Sequence, residues 1–369
     1  MILYITRKFP PSVGGMQRFN GKLSEHLRGK LNLELIAWGG SQLILPFFLV
    51  YAFFKAIFLC LNRSVECIYV ADGLLCPLGY VLKKITGKSV VVTIHGRDIA
   101  FELRVYQRVI CWALKRMDKI ICVSEVLKQE CLKRNISEKI ISVIPNGVDL
   151  ADFNNQILEK SLREIEARMG EPVGNQFILL SVGRLVSKKG IDVFVKEIFP
   201  KILQQTNDVI YLIVGEGPLK NNIAHIIQQD DRLHHHVFLL GQIPMESPFL
   251  SSIYQNADIF VMPNVPVRDD MEGFGIVALE ACAAGAAVVA TQVDGVVQAV
   301  KNGENGIVID HRDHQLFADT VVKLLRDPDR RLAMGISAKN FVMKNYSWGS
   351  ISDRYVEQFA EASRPKAQK

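Results

Sequence analysis

The sequence predicts an α/β protein with two doubly wound parallel sheets. Short apolar runs alternate with helix-like stretches along the chain, as in parallel sheets flanked by helices. The alternation pauses at a polar segment, 150–175, and resumes with a second set. A length of 369 residues suits two domains. We expect a Rossmann-like domain at 1–170, joined by a returning helix at 346–369, to face a second Rossmann-like domain at 171–345 across a cleft.

The strands of each set are the apolar runs, many of them rich in β-branched residues. The first set is expected at Ile2–Thr6, Leu33–Ala37, Cys67–Ala71, Ser89–Ile94, Lys119–Val123 and Ile141–Ile144. The second set is expected at Phe177–Val182, Val209–Val214, Val237–Leu240, Ile259–Met262, Ala287–Thr291 and Gly306–Ile309. Near the end of the chain, Ile351, Tyr355 and Phe359 recur at helical spacing and form an apolar stripe that must pack on something.

Composition and charge narrow the class of protein. Hydrophobic residues make up 49% and charged residues 22%, which excludes a disordered or collagen-like chain. Residues 1–150 hold 21 basic and 11 acidic side chains, a net +10, whereas residues 151–369 hold 23 and 27, a net −4. The basic half suits an anionic partner: nucleic acid, phospholipid headgroups or a phosphorylated substrate. No aromatic-interleaved basic patch supports nucleic acid.

Seven cysteines without a CxxC pair are typical of reduced thiols in a cytosolic protein. The run His234–His236 is not expected to bind metal, because neighbouring side chains of an extended segment point to opposite faces. The chain opens on a β-type run without the basic region of a signal peptide. We expect a cytoplasmic protein with no metal.

The segment 43–61, LILPFFLVYAFFKAIFLCL, is long and apolar enough to cross a membrane. It contains Pro46 and Lys55 and lies between two strands expected in one sheet, which a crossing would place on opposite sides of the bilayer. A helix packed on that sheet is therefore expected. Two interpretations remain open: a core helix, or a helix that also touches the anionic inner face of the cytoplasmic membrane.

Phosphate-binding features occur at two strand-to-helix turns. Gly14 and Gly15 follow the first strand, where backbone amides could approach a phosphate, although an ordinary tight turn would also use glycine. The absence of GxGxxG disfavours a dinucleotide oxidoreductase. In VGRLVSKKG, the cations Arg184, Lys188 and Lys189 follow a buried strand at its carboxyl end, where open α/β sheets bind ligands. A solvated basic turn is the alternative, and the placement favours phosphate binding.

The stretch MEGFGIVALEACAAG carries the strongest signal. A helix beginning near Ile276 would present the amides of Gly275, Ile276 and Val277 to a diphosphate. Glu272 before the turn and Glu280 inside the helix could accept hydrogen bonds from sugar or ribose hydroxyls. Because small and apolar residues surround Glu280, its carboxylate is expected to be buried with a partner.

His95, in TIHGRD, ends the buried run SVVVTI and is expected to face the cleft. A lone histidine is usually structural, but this position beside Gly96 favours a role in the site.

Together these stretches resemble the retaining GT-B glycosyltransferases of family four over nearly the whole chain. The resemblance rests on Gly14-Gly15, HGRD at His95, ICVSE, IPNGVD, VGRLVSKKG, VGEGPL, FLLGQIP and the E-x7-E pair Glu272 and Glu280. The stretch MPNVPVRDDMEGFGIVALEA is especially similar to mannosyltransferases that act on phosphatidylinositol mannosides and to related bacterial polysaccharide enzymes.

The resemblance implies that the second domain binds a nucleotide sugar. Arg184 and Lys189 would contact the diphosphate, Glu280 the ribose and Glu272 the donor sugar. The amides of Phe274–Val277 would complete the phosphate site.

The backbone around Gln242 and Ile243 would frame the base. The Gly14-Gly15 loop would close over the donor, and His95 would contact the sugar or the leaving phosphate. Such enzymes need no DxD-bound metal.

The implied reaction is front-side transfer of a hexose with retention, from GDP-mannose or a UDP-sugar to a glycan or lipid-linked acceptor in polysaccharide, lipopolysaccharide or glycolipid synthesis. Cations and helix amides would stabilise the leaving nucleotide, so no protein nucleophile is required. Two alternatives remain: a sugar-nucleotide 2-epimerase of the same architecture and a non-catalytic nucleotide-sugar-binding subunit.

Overall fold

The computed structural model describes residues 1–12, 14–96, 99, 103–153, 158–244, 247–268 and 270–364. The chain forms two compact units: one is Met1–Gly147 with the segment that begins at Trp348, and the other is Val148–Ser347. The first unit thus ends earlier than the expected boundary at 170, and the Leu158–Met169 helix belongs to the second unit.

The first unit contains a six-stranded parallel sheet in the order β2-β1-β3-β4-β5-β6. The strand order reverses between β1 and β3, because β2 lies on one side of β1 and the later strands lie on the other. The strands are β1 Ile2–Thr6, β2 Leu33–Ala37, β3 Cys67–Val70, β4 Ser89–Ile94, β5 Lys119–Cys122 and β6 Ile141–Val143.

The second unit contains another six-stranded parallel sheet, ordered β12-β11-β10-β7-β8-β9. Here the order reverses between β7 and β10. The strands are β7 Phe177–Val182, β8 Val209–Val214, β9 Val237–Gly241, β10 Ile259–Met262, β11 Ala287–Thr291 and β12 Ile307–Ile309. All twelve predicted strands are confirmed, and their ends differ from expectation by at most one residue.

Helices cover the sheets, and local signals set several of their ends. Asp313 and Asp327 each cap a helix by accepting a hydrogen bond from a backbone amide of its first turn. In the first unit the helices are Gly15–Arg28, Leu45–Asn62, Cys76–Thr86, Arg104–Leu114, Glu125–Lys133 and Trp348–Ser363. In the second unit they are Leu158–Met169, Ile191–Val193 continuing through a π turn at Phe194–Ile198 into Phe199–Leu203, Lys220–Gln229, Asp231–His234, Pro248–Asn256, Ile276–Ala284, Val296–Ala299, His314–Arg326 and Pro328–Tyr346.

The Trp348–Ser363 helix confirms the predicted return of the chain to the first unit. Its stripe of Ile351, Tyr355 and Phe359 is buried in the core of that unit. The Tyr355 hydroxyl lies 3.1 Å from the Thr93 hydroxyl, and the Phe359 ring packs 5.3 Å from the ring of Tyr69. The apolar spacing that required a packing surface thus finds it on β3 and β4.

The Leu45–Asn62 helix connects β2 to β3, and both strands pair with β1. Among the described residues, this is the single helix long and apolar enough to cross a membrane. It buries Phe48 but leaves Phe47, Phe54 and Phe58 exposed. The interpretation in which all of its phenylalanines pack inside the domain is therefore wrong.

Candidate functional site

An ion pair lies where the strand order of the second sheet reverses, which is the usual ligand position in open α/β sheets. β7 leads into the turn that holds Lys189, and the neighbouring β10 leads into the segment that ends at Glu272. The Lys189 Nζ lies 2.6 Å from the Glu272 Oε2. These two predicted site residues, 83 positions apart, are therefore in direct contact.

Further hydrogen bonds hold the Glu272 side chain and backbone. The Asn264 amide nitrogen donates to Glu272 Oε2 at 3.1 Å, and the backbone N–H of Glu272 donates to Asp294 at 3.0 Å. Burial by itself raises the pKa of Glu272, but the ammonium groups of Lys189 and Lys188 and the hydrogen bond from Asn264 together outweigh it, and the pKa lies below its ordinary value. The carboxylate is therefore ionised at neutral pH.

A glycine allows the two segments to approach. Gly190 adopts a left-handed backbone conformation with φ +61°, and a Cβ at this position would lie 2.0 Å from the carbonyl oxygen of Pro263. Any side chain would force the turn after β7 away from the segment after β10. Gly190 thus permits the contact between Lys189 and Glu272.

Lys188 bonds within the unit and joins the same two segments. Its ammonium lies 2.9 Å from Asp270 Oδ1 and 3.1 Å from the carbonyl oxygen of Met271. Its backbone carbonyl accepts a hydrogen bond from the N–H of Val265. The contact of Lys188 with a donor stays a prediction, and the observed bonds make it a brace between the loops.

Arg184 differs from both lysines. Its side chain is exposed, and no acidic side chain in the described ranges forms an ion pair with it. A guanidinium with this freedom can bind a phosphate through two parallel hydrogen bonds. Arg184 is therefore the cation of the turn that is most available to an anionic ligand.

The predicted helix start is confirmed at Ile276–Ala284, with Gly275 as its N-cap. Gly275 has φ +87°, a left-handed backbone conformation that favours glycine, and a Cβ there would also press on the end of the Met262 side chain at 3.0 Å. The N–H groups of Ile276 and Val277 belong to the first turn, where no intrahelical acceptor is available. This turn holds no acidic residue, so its positive end suits an anion.

Phe274 and Glu280 are buried on either side of that helix start. The Phe274 ring packs 5.9 Å from the ring of Tyr346, which fixes the turn. The Tyr254 hydroxyl donates to Glu280 Oε2 at 2.9 Å. The expectation that Glu280 is buried with a partner is confirmed, while its contact with a ribose stays a prediction.

Gln242 and Ile243 directly follow β9, the outer strand of the same sheet. Ile243 is buried and Gln242 is exposed. Because all strands are parallel, both lie at the carboxyl edge that carries the ion pair. No described hydrogen bond joins them to Lys189 or Glu272, so the framing of a base stays a prediction.

In the first unit, the predicted residues lie at the carboxyl edge of its own sheet. His95 follows β4, and its ring packs 4.8 Å from the ring of Phe19. Phe19 belongs to the helix that begins at Gly15, with Gly14 as its N-cap. Burial lowers the pKa of His95 to about 4, so its imidazole is neutral at pH 7.

Parts of two motifs, Arg97-Asp98 and Asp269, lie outside the described residues. In the described part of the chain, no group of three His, Cys, Asp or Glu side chains is arranged to hold a metal ion. Sequence reasoning missed Asn264 and Asp294. Their signals are a polar residue after a buried strand and an Asp-Gly turn, where Asp294 adopts φ +41°.

Comparisons with known proteins match both units. Residues 13–152 match Glycosyltransferase Family 4, and residues 163–341 match Glycosyl transferases group 1. The chain is 27% identical to the GDP-mannose-dependent alpha-(1-6)-phosphatidylinositol monomannoside mannosyltransferase of Mycolicibacterium smegmatis, over 96% of this chain and 97% of that protein. It is 31% identical to the D-inositol 3-phosphate glycosyltransferase of Corynebacterium efficiens, over 60% of this chain and 51% of that protein.

Two solved structures share the fold. Anabaena Alr3699/HepE in complex with UDP has a TM-score of 0.78 at 18% identity and covers 98% of this chain and 99% of that one. Sucrose-phosphate synthase from Thermosynechococcus elongatus has a TM-score of 0.76 at 19% identity and covers 98% of each chain.

Proposed function

We propose, from the premise that this chain belongs to the GT-B glycosyltransferases of family four, that it transfers a hexose from GDP-mannose or a UDP-sugar. The acceptor would be a hydroxyl group of a glycan or a lipid-linked molecule in cell-envelope polysaccharide or glycolipid synthesis. The observation that carries the proposal is the Lys189–Glu272 ion pair at the reversal of strand order in the second sheet. The M. smegmatis relative is named for GDP-mannose, and the Anabaena structure contains UDP.

The donor's diphosphate would bind to three kinds of positive group. Arg184 offers an exposed guanidinium, Lys189 an ammonium, and the helix that begins at Ile276 its free amides. Negative charge grows on the diphosphate as the bond to the sugar breaks. Fixed cations and dipoles stabilise that charge more strongly in the transition state than in the ground state, which accelerates the reaction.

The two glutamates would bind hydroxyl groups at different ends of the donor. Glu272 is ionised and already accepts hydrogen bonds from Lys189 and Asn264, so its carboxylate can accept from sugar hydroxyls. Glu280 is held by Tyr254 inside the helix that follows, and we assign it to the ribose. A diphosphate competing for Lys189 would loosen the ion pair and release Glu272 toward the sugar.

We further propose that transfer retains the anomeric configuration and needs no metal. A leaving phosphate oxygen would take the proton of the acceptor hydroxyl on the same face of the sugar. The neutral imidazole of His95 could hydrogen-bond the sugar or the leaving phosphate, and the Gly14-Gly15 loop could close over the donor. Lys189 and Arg184 supply the charge that a metal ion would otherwise supply.

Donor binding and hydrolysis with GDP-mannose, UDP-glucose and UDP-N-acetylglucosamine, each with and without a chelator, test this proposal. We expect one donor to bind and to be hydrolysed slowly, and the chelator to leave both unchanged. Hydrolysis that stops with the chelator would refute metal independence. Conversion of the donor to an epimer without acceptor would indicate a 2-epimerase, and binding without turnover in any acceptor trial would indicate a non-catalytic subunit.

A further inference from the structure

Three neighbouring helices of the first unit form one exposed surface. The Leu45–Asn62 helix packs on the Cys76–Thr86 helix, which packs on the Arg104–Leu114 helix. Each presents large apolar side chains to solvent at helical spacing. We call this set the outer helical face: Phe47, Val50, Tyr51, Phe54, Phe58 and Leu61 from the first helix, Val81 and Ile85 from the second, and Val105, Val109 and Trp112 from the third.

On the Leu45–Asn62 helix, small residues face the core and large aromatic residues face solvent. Ala52 and Ala56 are completely buried, whereas Phe54 and Phe58 are 65% and 63% exposed. Burying a phenylalanine side chain removes more apolar surface from water than burying an alanine does, so packing within the unit alone would favour the opposite arrangement. Contiguous exposed apolar surface of this kind marks a site of contact with a membrane or another molecule.

The charge of the three helices is entirely positive. None of them contains Asp or Glu. Lys83 and Arg63 pair with Asp118 and Glu34. Seven further basic residues on the helices or next to them form no ion pair with a described acidic side chain: Lys55, Lys84, Lys88, Arg104, Arg108, Lys115 and Arg116.

The basic and apolar side chains are interleaved on the same stripes. Val105, Arg108, Val109 and Trp112 are all exposed and follow the i, i+3, i+4, i+7 spacing of one helix face. The Trp112 ring has the Arg116 guanidinium 4.5 Å from its centroid. Amphipathic aromatic rings beside cations are characteristic of the boundary between lipid headgroups and acyl chains.

We propose that the outer helical face docks on an anionic phospholipid bilayer, such as a cytoplasmic leaflet, with its apolar side chains among the headgroups. The first helix lies in the interface and does not cross it, because β2 and β3 on either side of it share one sheet. An anionic bilayer offers apolar depth and negative charge together. A second copy of the chain would instead bring two positive surfaces into contact, which is repulsive.

Vesicle flotation tests this surface. The probes are vesicles of phosphatidylcholine alone and of phosphatidylcholine with phosphatidylglycerol, at low and high salt. We expect the wild-type chain to float with the anionic vesicles at low salt and to be released by salt. The double variants F54D/F58D and V109D/W112D should each lower the partition coefficient by about tenfold or more, because interfacial binding scales with buried apolar area.

The matched control is L332D/I336D, which changes two exposed apolar residues one helical turn apart in the second unit and should float like wild type. The proposal is overturned if wild type stays unbound at low salt, if V109D/W112D floats like wild type, or if the control loses binding equally. A further outcome also overturns the proposal. If wild type forms a concentration-dependent dimer that F54D/F58D loses while its flotation is unchanged, the face binds a second copy of the chain.

The same variants distinguish a failure of the docking proposal from a failure of the proposed function. Nucleotide-sugar binding measured on the same variants should equal that of wild type, since every substitution lies outside the donor residues. A chain that floats but binds no donor would leave docking intact and refute the proposed function, whereas a chain that binds donor but never floats would do the reverse.

Discussion

Replacing Lys189 with Met should affect both the stability of the second unit and the reaction, through separable causes. In the wild-type chain Lys189 neutralises the Glu272 carboxylate at 2.6 Å. Met preserves the length of the side chain and removes its charge. The variant therefore leaves the Glu272 carboxylate without its cation and also removes a cation from the proposed diphosphate site.

The structure bounds the size of each effect. Removing one partner of a fully buried ion pair costs about 3–5 kcal/mol of folding free energy. The Lys189 and Glu272 side chains are 16% and 13% exposed, and Asn264 still donates to the carboxylate in the variant. We therefore expect K189M to lose about 2 kcal/mol of folding free energy. Loss of transition-state stabilisation should lower kcat/KM by about 30-fold to 1,000-fold.

The dependence of folding stability on pH should separate the effect of K189M on folding from its effect on the reaction. In wild type, the low pKa of Glu272 stabilises the fold above the unfolded value of about 4.3, and this contribution is lost as the pH falls through the folded pKa. In K189M, burial without the ammonium raises the Glu272 pKa above 4.3, so its stability deficit is greatest near neutral pH. The difference in stability between the two proteins should shrink as the pH falls toward 4.3.

The assay uses the position of the tryptophans. Trp38, Trp112 and Trp348 all belong to the first unit, so tryptophan fluorescence follows its unfolding, while circular dichroism follows both units. K189M should lower the circular dichroism transition and leave the fluorescence transition unchanged. The double variant K189M/E272Q should regain most of the stability but none of the activity. A double variant as unstable as K189M, or K189M with near-normal kcat/KM, would refute the reasoning.

Three further predictions concern single residues. Arg184→Ala should leave both unfolding transitions unchanged, because the side chain is exposed, yet lower kcat/KM by about 30-fold to 1,000-fold; unchanged kinetics would remove Arg184 from the phosphate site. Glu280→Gln should mainly raise the donor KM and Glu272→Gln should mainly lower kcat, because ribose contacts change little during transfer; equal effects in steady-state kinetics would contradict this division. The half-buried His95, with a pKa of about 4, should cost the first unit stability as the pH falls from about 6.5 to about 4, because the unfolded chain binds the proton more readily. His95→Gln should flatten that dependence in fluorescence-detected unfolding, and an unaltered slope would assign it to another group.

The strands could be predicted almost to the residue because each is a short, mainly apolar run followed within two residues by a glycine, a proline or a polar side chain. β8, for example, is VIYLIV and is buried along its whole length. The order of strands in the sheet could not be predicted this way, since it depends on contacts between distant segments. The bond from Lys189 to Glu272 spans 83 positions, and neither residue's own surroundings in the sequence indicate the other.

Two local patterns were ambiguous because their outcome also depends on contacts with distant segments. The Leu45–Asn62 helix is apolar on every side, so its periodicity could not show that the side with Ala52 and Ala56 faces inward. The polar connector could not show to which unit the Leu158–Met169 helix belongs. Packing decides it: the Arg168 guanidinium lies 4.5 Å from the centroid of the Phe249 ring in the second unit.

The two points of strand reversal explain why we assign the donor to the second unit. In the first unit, Arg7 lies 3.1 Å from a fully buried Asp72, whose pKa burial raises despite the guanidinium. That pair is locked within the fold. In the second unit the equivalent edge carries an ionised Glu272 bonded to Lys189, with the exposed Arg184 on the same turn. An approaching diphosphate can exchange partners with this second pair at modest cost, because water already reaches both side chains and Asn264 keeps the carboxylate hydrogen-bonded.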